Sequence, residues 1–487
     1  MIRKILHILF LSILAFNSTC AQSEYPVVDI SDEIEHRLLP AVLIDGERPQ
    51  SQPIKDRMDH FKVPGVSIAV INENKIVWTG GFGKLRAGSD IPITNSTLFQ
   101  AASMSKPLTA TAVLYLTEKG SIELDEDINE YLHSWKLPEN SHTETQPVTL
   151  RHLLNHTAGI NVHGFPGYPA SQEELPDLRE ILEGTGSVNT NPIRANSIPG
   201  NQWSYSGGGY TIIQQIIEDV TDNSFSELMK QVVLEPLEMT NSTFSQPLPK
   251  LMENQAAIGH INGDRPVSGG WYHYPEQAAA GLWTTPGDIS QWIIDKQQTL
   301  LNGTGKILSV ELVNEMLTPD KGGWGLGPEL AGQDDSINFK HSGANKGFRC
   351  YMVAFAKTGQ GIVVMTNSDN GTRLAMEILR TVAFHYNWPD YKPVKRTIAE
   401  IQPEILENYT GLYQLETGML IEINVSGKGL VIKFPGEQGL TFLPSSESSF
   451  FDTTSEIELK FNINDTEKSE QLLLSFGVHE ITGNLIE

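Results

Sequence analysis

Ser103-Met104-Ser105-Lys106 sets a hydroxyl and an amine three residues apart, a spacing that puts both on one face if the segment is helical. A serine hydroxyl is a weak nucleophile near neutral pH, so acyl transfer through it needs a base in contact. A lysine serves only where burial or neighbouring positive charge lowers its pKa. The tetrad therefore predicts a nucleophile and base in a partly desolvated hollow. By itself it is weak: such a pattern recurs by chance on the order of once in several hundred positions, and a serine at a helix start is often only a cap.

Two further clusters give the tetrad a context. Trp203-Ser204-Tyr205-Ser206-Gly207-Gly208-Gly209-Tyr210, after Pro199-Gly200, is a glycine-rich turn opening a helix, with the Tyr205 phenol free to face a cleft. His341-Ser342-Gly343 precedes Ala344 on a segment with strand character.

Ala102-Ser103-Met104-Ser105-Lys106, Leu150-Arg151-His152-Leu153-Leu154-Asn155-His156-Thr157-Ala158-Gly159, Tyr205-Ser206-Gly207 and His341-Ser342-Gly343, in that order across roughly residues 50–385, together resemble the class C β-lactamase-related serine hydrolases. That family includes β-lactamases, D-alanyl-D-alanine carboxypeptidases, D-aminopeptidases and esterases. The resemblance thus implies acyl transfer through a serine ester without naming the substrate. It implies that Ser103 attacks a carbonyl, that Lys106 and Tyr205 shuttle its proton to the leaving group, and that His341-Ser342-Gly343 lines the substrate strand. The oxyanion would lie between the backbone N–H groups of Ser103 and Ala344, and Gly343 and Gly347 would let backbone approach the substrate closely.

Two residues depart from the β-lactamase pattern. Gly207 stands where an asparagine would bond the substrate's amide, and His341 stands where the lysine of Lys-Thr-Gly would hold a carboxylate. Histidine is largely neutral at pH 7, which suits a less anionic substrate: an ester, or a D-amino-acid amide or peptide. β-Lactam hydrolysis and D-alanyl-D-alanine carboxypeptidase activity are the alternatives. A catalytically silent envelope binding protein of the same fold is the rival from another class, with Gly207 and His341 its only support. No metal or organic cofactor is required; the partner expected is a small-molecule or peptide substrate.

Other motifs are weaker. Lys357-Thr358-Gly359 and Ser368-Asp369-Asn370 spell signatures of related enzymes but occur in reverse order and only a few residues apart, so they read as a hairpin turn and a helix N-cap. His152 and His156 have a helical zinc spacing, yet no third ligand is evident and Thr157-Ala158-Gly159 ends the helix, which favours structural hydrogen bonds. Trp324-Gly325-Leu326-Gly327 and Trp271–Tyr274 could each line a cleft or pack against backbone.

The elements that must position these groups follow from periodicity. Val66–Ile71 and Ile76–Gly81 read as a hairpin, Met104–Glu118 as a helix with Ser103 at its entrance, and Tyr210–Val220 as another helix. Phe348–Ala356 and Gly361–Thr366 form a second hairpin before a helix whose apolar face is Leu374, Ile378, Val382 and Tyr386. The expected fold is α+β: an antiparallel sheet flanked by helices with a helical subdomain between its halves. After Trp388-Pro389, Ile421, Ile423 and Val425, then Ile457, Leu459, Phe461 and Ile463, alternate with polar residues. Residues 22–386 are therefore expected to form the hydrolase domain, 387–403 a linker, and 404–487 a small all-β unit resembling the lipocalin-like modules appended to such hydrolases.

Residues 1–21 carry Arg3 and Lys4, the apolar stretch Ile5–Phe16 and Thr19-Cys20-Ala21, a signal-peptide pattern predicting cleavage before Gln22 and a periplasmic or secreted protein. The apolar run is too short for a membrane span, which needs roughly 20 residues, and Asn17 and Thr19 fit a lipoprotein signal at Cys20 poorly. No transmembrane segment is expected after its removal. Cys350 would then be the sole cysteine, so the core, not a disulfide, must supply stability. Loss of Arg3 and Lys4 would take the formal net charge from −24 to −26, which disfavours nucleic acid as a partner because both are polyanions.

Overall fold

The computed structural model describes residues 29–486 apart from 49–50, 173, 436–438, 456, 464–468 and 477–478. The segment expected to direct export, 1–21, lies outside the described residues.

Six strands form one antiparallel sheet: β1 (Gly65–Asn72), β2 (Lys75–Gly83), β3 (Glu329–Ala331), β4 (Asn338–Asn345), β5 (Phe348–Phe355) and β6 (Gly361–Thr366). Their spatial order is β3-β4-β5-β6-β1-β2. The β1–β6 pair, with Val66 opposite Thr366 and Ile71 opposite Gly361, joins the early and late parts of the chain. Both strands are apolar runs because both faces are covered. Val66, Ile68, Val70, Ile362 and Val364 point to one core, and Ile71, Val363 and Met365 point to the other, as a period of two requires.

Four long helices sort to these two sides: α1 (Ser105–Glu118), α2 (Gly207–Thr221), α3 (Pro286–Asn302) and α4 (Gly371–His385). α4 has a strongly one-sided sequence and lays Leu374, Ile378 and Val382 on the first face. α1 is buried all round, each of its first ten residues from Ser105 to Leu114 being closed to solvent, and so belongs in the middle of the second core. The region between the sheet's halves supplies its other neighbours, α2 among them. The fold is thus the expected α+β arrangement with a helical subdomain.

The carboxy-terminal part is an eight-stranded barrel closed on itself, running from Gly411–Leu415 to His479–Leu485 in simple up-and-down order. Its interior is filled: Tyr413, Ile421, Ile423, Leu430, Ile432, Phe442, Leu459 and Leu474 are fully buried. The Tyr409 ring stacks on Phe461 at 4.2 Å.

Residues 387–403 are tied down over part of their length. Trp388 is fully buried against Phe355, and Val394–Arg396 pairs in parallel with Val42–Ile44. No helix among the described residues is long and apolar enough to cross a membrane.

Candidate active site

Ser103 occupies a single turn of 3-10 helix, Ala102–Met104, that leads directly into α1. The expected helix over Met104–Glu118 therefore begins one residue later, with the hydroxyl just outside it. Ala102 holds a left-handed backbone, φ 51°, a conformation that costs a non-glycine residue about 1–3 kcal/mol and tends to collect at functional sites. Two bonds secure the turn: Ser105 Oγ donates to the Ala102 carbonyl at 2.6 Å and accepts from Leu282 N–H at 3.1 Å.

Lys106 reaches back along the same face. Its Nζ donates to Ser103 Oγ at 3.0 Å and to the Ala279 carbonyl at 2.9 Å. The side chain is only 2% exposed, and this loss of water pushes its pKa down to about 7. The rings of Tyr205 and Tyr210 flank the amine at 5.0 and 5.5 Å.

Tyr205 lies just ahead of α2, whose N-cap is Ser206: the Ser206 hydroxyl accepts from Gly209 N–H at 3.0 Å. Burial raises the Tyr205 phenol above the usual tyrosine range, and hydrogen bonding with Ser103 offsets part of that rise. At neutral pH the group is a protonated phenol.

β4 runs alongside this cluster. β3 pairs only with Asn338–Lys340, so from His341 onward β4 has one edge free of strand neighbours. Gly343 faces the turn that carries Ser103 there, while Ser342 and Ala344 are exposed. His341 is buried, and its Nδ1 bonds the Ser342 carbonyl at 2.6 Å. Desolvation, with the nearby Lys106 charge second, pushes its pKa down to about 3, so the imidazole is neutral. Trp324 stands across the cluster, 5.6 Å from Tyr205 and 5.7 Å from His341 between ring centroids.

The family model described as Beta-lactamase matches residues 51–386. The chain belongs to the Beta-lactamase family. Protein flp of Staphylococcus aureus (strain N315) is 25% identical over 337 residues, covering 67% of this chain and 64% of that protein. The chain thus spans a little under two thirds of the length of that relative. Penicillin-binding protein 4* of Bacillus subtilis (strain 168) is 24% identical over 434 residues, 83% of this chain and 91% of that one. Among solved structures, the octameric penicillin-binding protein homologue from Pyrococcus abyssi shares the fold, with a TM-score of 0.61 at 23% identity over 88% of this chain and 98% of that chain.

Within this β-lactamase-family frame, the two departures have physical counterparts. A side chain at Gly207 would meet the Phe165 ring at 2.9 Å and the His163 carbonyl at 3.2 Å. The loop that bonds Gly207 and Gly208 through the His163 and Val162 carbonyls fills the space an asparagine would take. At position 341 there is an uncharged imidazole in place of a fixed cation.

The remaining sequence motifs separate clearly. Gly347 has φ 81° and lies in the turn between β4 and β5, packed on the Gly259–His260 backbone. It serves the turn, which corrects the expectation that it lets a substrate approach. His152 and His156 do not share a helical face: the helix Leu150–Leu154 stops before His156, whose φ is 62°. His152 Nδ1 instead accepts from Thr149 N–H at 3.3 Å. Among the described residues no group of three or more His, Cys, Asp and Glu is placed to hold a metal ion.

Lys357-Thr358-Gly359 forms the β5–β6 turn. Asn370 precedes α4 but its side chain donates to the Phe61 carbonyl and does not cap the helix; Ser368 Oγ accepts from Asn370 N–H at 3.2 Å. Trp324 reaches the site, whereas Trp271 packs in the core on Trp283. Neither the Ala279 carbonyl at Lys106 nor the surroundings of His156 is marked in the sequence. Nothing in Ala278-Ala279-Ala280 announces a lysine acceptor, and a histidine's spacing alone does not say what it faces.

Proposed function

We propose that this chain is a serine hydrolase that works through a covalent acyl ester on Ser103, with an uncharged ester or a D-amino-acid amide or peptide as substrate. The observation that carries the reading is the 3.0 Å contact between Ser103 Oγ and a Lys106 amine whose pKa lies at about 7. A base so poised exists in both protonation states at neutral pH, the condition under which proton transfer is most effective.

The roles follow from the protonation states. Neutral Lys106 takes the Ser103 proton as Oγ bonds the substrate carbonyl carbon. The carbonyl oxygen becomes an oxyanion, held by the N–H groups of Ser103 and Ala344; each such donor contributes about 3–4 kcal/mol by mutational precedent. Tyr205, a phenol and not a phenolate, relays that proton to the leaving oxygen or nitrogen as its bond to carbon breaks. Water then attacks the Ser103 ester, Lys106 takes the water's proton, and the acid departs with Ser103 restored. No step calls for a cofactor.

Neutral His341 and the filled space at Gly207 favour an uncharged substrate over one recognised by its carboxylate. The name of the Bacillus subtilis relative makes β-lactams and D-alanyl peptides the second class to examine. Export through residues 1–21 completes the proposal and is checked by sequencing the mature amino terminus. Incubation with a fluorophosphonate followed by intact-mass measurement tests the chemistry. A single adduct that disappears in Ser103→Ala supports it; an unmodified wild-type chain overturns it. Nitrocefin and p-nitrophenyl esters then rank the substrate classes.

A further inference from the structure

His156 is fully buried beneath the site and bonds the chain on both sides of Tyr205. Its carbonyl accepts from Ser204 N–H at 2.8 Å, and its Nδ1 accepts from Ser206 N–H at 3.2 Å. Its ring lies 4.3 Å from the Tyr205 ring and 5.1 Å from Trp324. One residue thus holds the amides before and after the phenol-bearing residue and also supports the ring. His156 itself keeps a left-handed backbone, φ 62°, a conformation asparagine tolerates better than most side chains.

The tautomer is settled by these partners. Because Nδ1 accepts, the ring proton sits on Nε2, a buried atom with no hydrogen-bond partner. Leaving such a donor unpaired costs about 1–3 kcal/mol, and a phenylalanine would avoid that cost while filling a similar space. What phenylalanine lacks is the Nδ1 acceptor.

We infer that His156 is a positioning residue for the proposed reaction, gripping the Ser204 and Ser206 amides so that the Tyr205 phenol is held on Ser103. The inference rests on the serine-hydrolase reading above for its kinetic consequence, but the grip itself is a property of the folded chain. A protonated imidazole would turn an N–H toward the Ser206 N–H and release it. Burial and the neighbouring Lys106, His341 and His163 all oppose that protonation.

The test compares three variants. His156→Asn retains a γ-linked acceptor in the same position and tolerates the left-handed backbone. His156→Phe keeps the ring but not the acceptor, and His156→Gln moves the acceptor one bond further out. Expected for His156→Phe is a fall in kcat of roughly 30- to 100-fold on an uncharged ester with KM changed less than threefold, while His156→Asn stays within about fivefold of wild type. Hydrogen exchange at the Ser206 amide, which bonds Nδ1, should quicken at least tenfold in His156→Phe and much less in His156→Asn, while the Ser204 amide, held by the backbone carbonyl that every variant keeps, changes less.

Equal kcat in wild type and His156→Phe, or equal losses in the Phe and Asn variants, would overturn the inference. If His156→Phe does not fold by circular dichroism, His156→Gln takes its place, with the same loss expected relative to His156→Asn and the same readings against it. If wild type shows neither turnover nor a fluorophosphonate adduct, the hydrolase reading has failed; the exchange rates then decide the grip alone, and unchanged protection in the variant lacking the acceptor sinks it.

Discussion

Gly343 lies so close beneath Ala101 that a Cβ added to it would come within 2.2 Å of the Ala101 carbonyl oxygen. That oxygen belongs to the residue just before the turn bearing Ser103, so the glycine sets how near β4 can lie to that serine. Gly343→Ala must displace either the strand or the turn, at a cost of about 1–3 kcal/mol for overpacking. The expected outcome is a folded protein whose fluorophosphonate labelling slows at least about 100-fold, since a 1 Å misplacement of reacting groups can have that effect. Wild-type labelling in Gly343→Ala would show that this approach does not govern reactivity.

Lys106 predicts a pH profile. With a pKa of about 7 in the folded chain, kcat/KM on an uncharged ester should rise about tenfold per unit below pH 7 and flatten above it, because the neutral amine is the active form. A profile flat from pH 5 to 9 would exclude Lys106 as the base.

The burial of the same residue also bears on stability. Between about pH 7 and the ordinary lysine value of 10.5 the unfolded chain binds more protons at Lys106 than the folded one, so wild-type stability rises with pH through that window. At about 1.4 kcal/mol per unit, the burden near pH 7 is several kcal/mol. Lys106→Met removes it but strands the Ala279 carbonyl, which costs about 1–3 kcal/mol. The net expectation is an inactive protein with a melting temperature a few degrees higher at pH 7, the gap closing toward pH 10.5. Calorimetry across that range checks it.

Much of this arrangement could be read from the chain. The apolar runs of β1 and β6, the three-residue step from Ser103 to Lys106, and the period of two around Ile421 and Leu459 are local patterns, each recording one face or one turn. The rest depends on distant pairings. Val42–Ile44 meets Val394–Arg396 across some 350 residues, and Lys106 finds a backbone carbonyl that no side chain marks. His156 appears in sequence as half of a metal-like spacing, and its bonds to Ser204 and Ser206 depend on a left-handed backbone that spacing does not encode. Likewise, 387–403 has the composition of a linker, yet Trp388 is buried because α4 and β5 leave a slot for it.

Glu276 offers an independent check on the wall behind Lys106. Its carboxyl is fully buried with no other residue hydrogen-bonded to either oxygen, and burial pushes its pKa up to about 8. Its carbonyl accepts from Ala279 and Ala280 N–H, in the same short helix whose Ala279 carbonyl holds the lysine. From about pH 4.5 to 8 the folded chain keeps a proton that the unfolded chain releases, so this residue's contribution to stability is lost as pH rises through that window. Glu276→Gln should remove this dependence: its melting temperature relative to wild type should climb between pH 5 and 8. A constant difference would mean the carboxyl is not kept protonated.

The Trp203 and Trp324 rings lie 5.5 Å apart, Trp324 beside the Tyr205 ring and Trp203 37% exposed. A side chain at Gly322 would strike the Trp203 indole at 2.6 Å, so the turn there supports the ring from behind. Trp203→Ala should raise KM for esters of large apolar acids about 5- to 20-fold, in line with the loss of about 1–2 kcal/mol of apolar contact, and leave acetate esters within twofold. An equal effect on both acids would place the indole outside the acyl subsite.

The barrel is fastened to the paired strands Val42–Ile44 and Val394–Arg396 and their flanks. Phe451 packs with Ala41 and Val42, the Ala399 N–H donates to the Pro444 carbonyl at 2.8 Å, and Arg396 pairs with Glu458. The preceding strand region is itself tied to α4 by the bond from Leu39 N–H to Thr381 Oγ at 2.9 Å. Such a seam contributes stability without touching Ser103. Burying a charge among those apolar groups, as in Phe451→Asp, should cost about 3–5 kcal/mol at the seam. The expected result is a protein that scans as two separate thermal transitions and labels with fluorophosphonate within twofold of the wild-type rate. A large drop in labelling with the hydrolase domain still folded would instead mean that the barrel shapes the cleft from a distance, and the seam would then be part of the catalytic architecture.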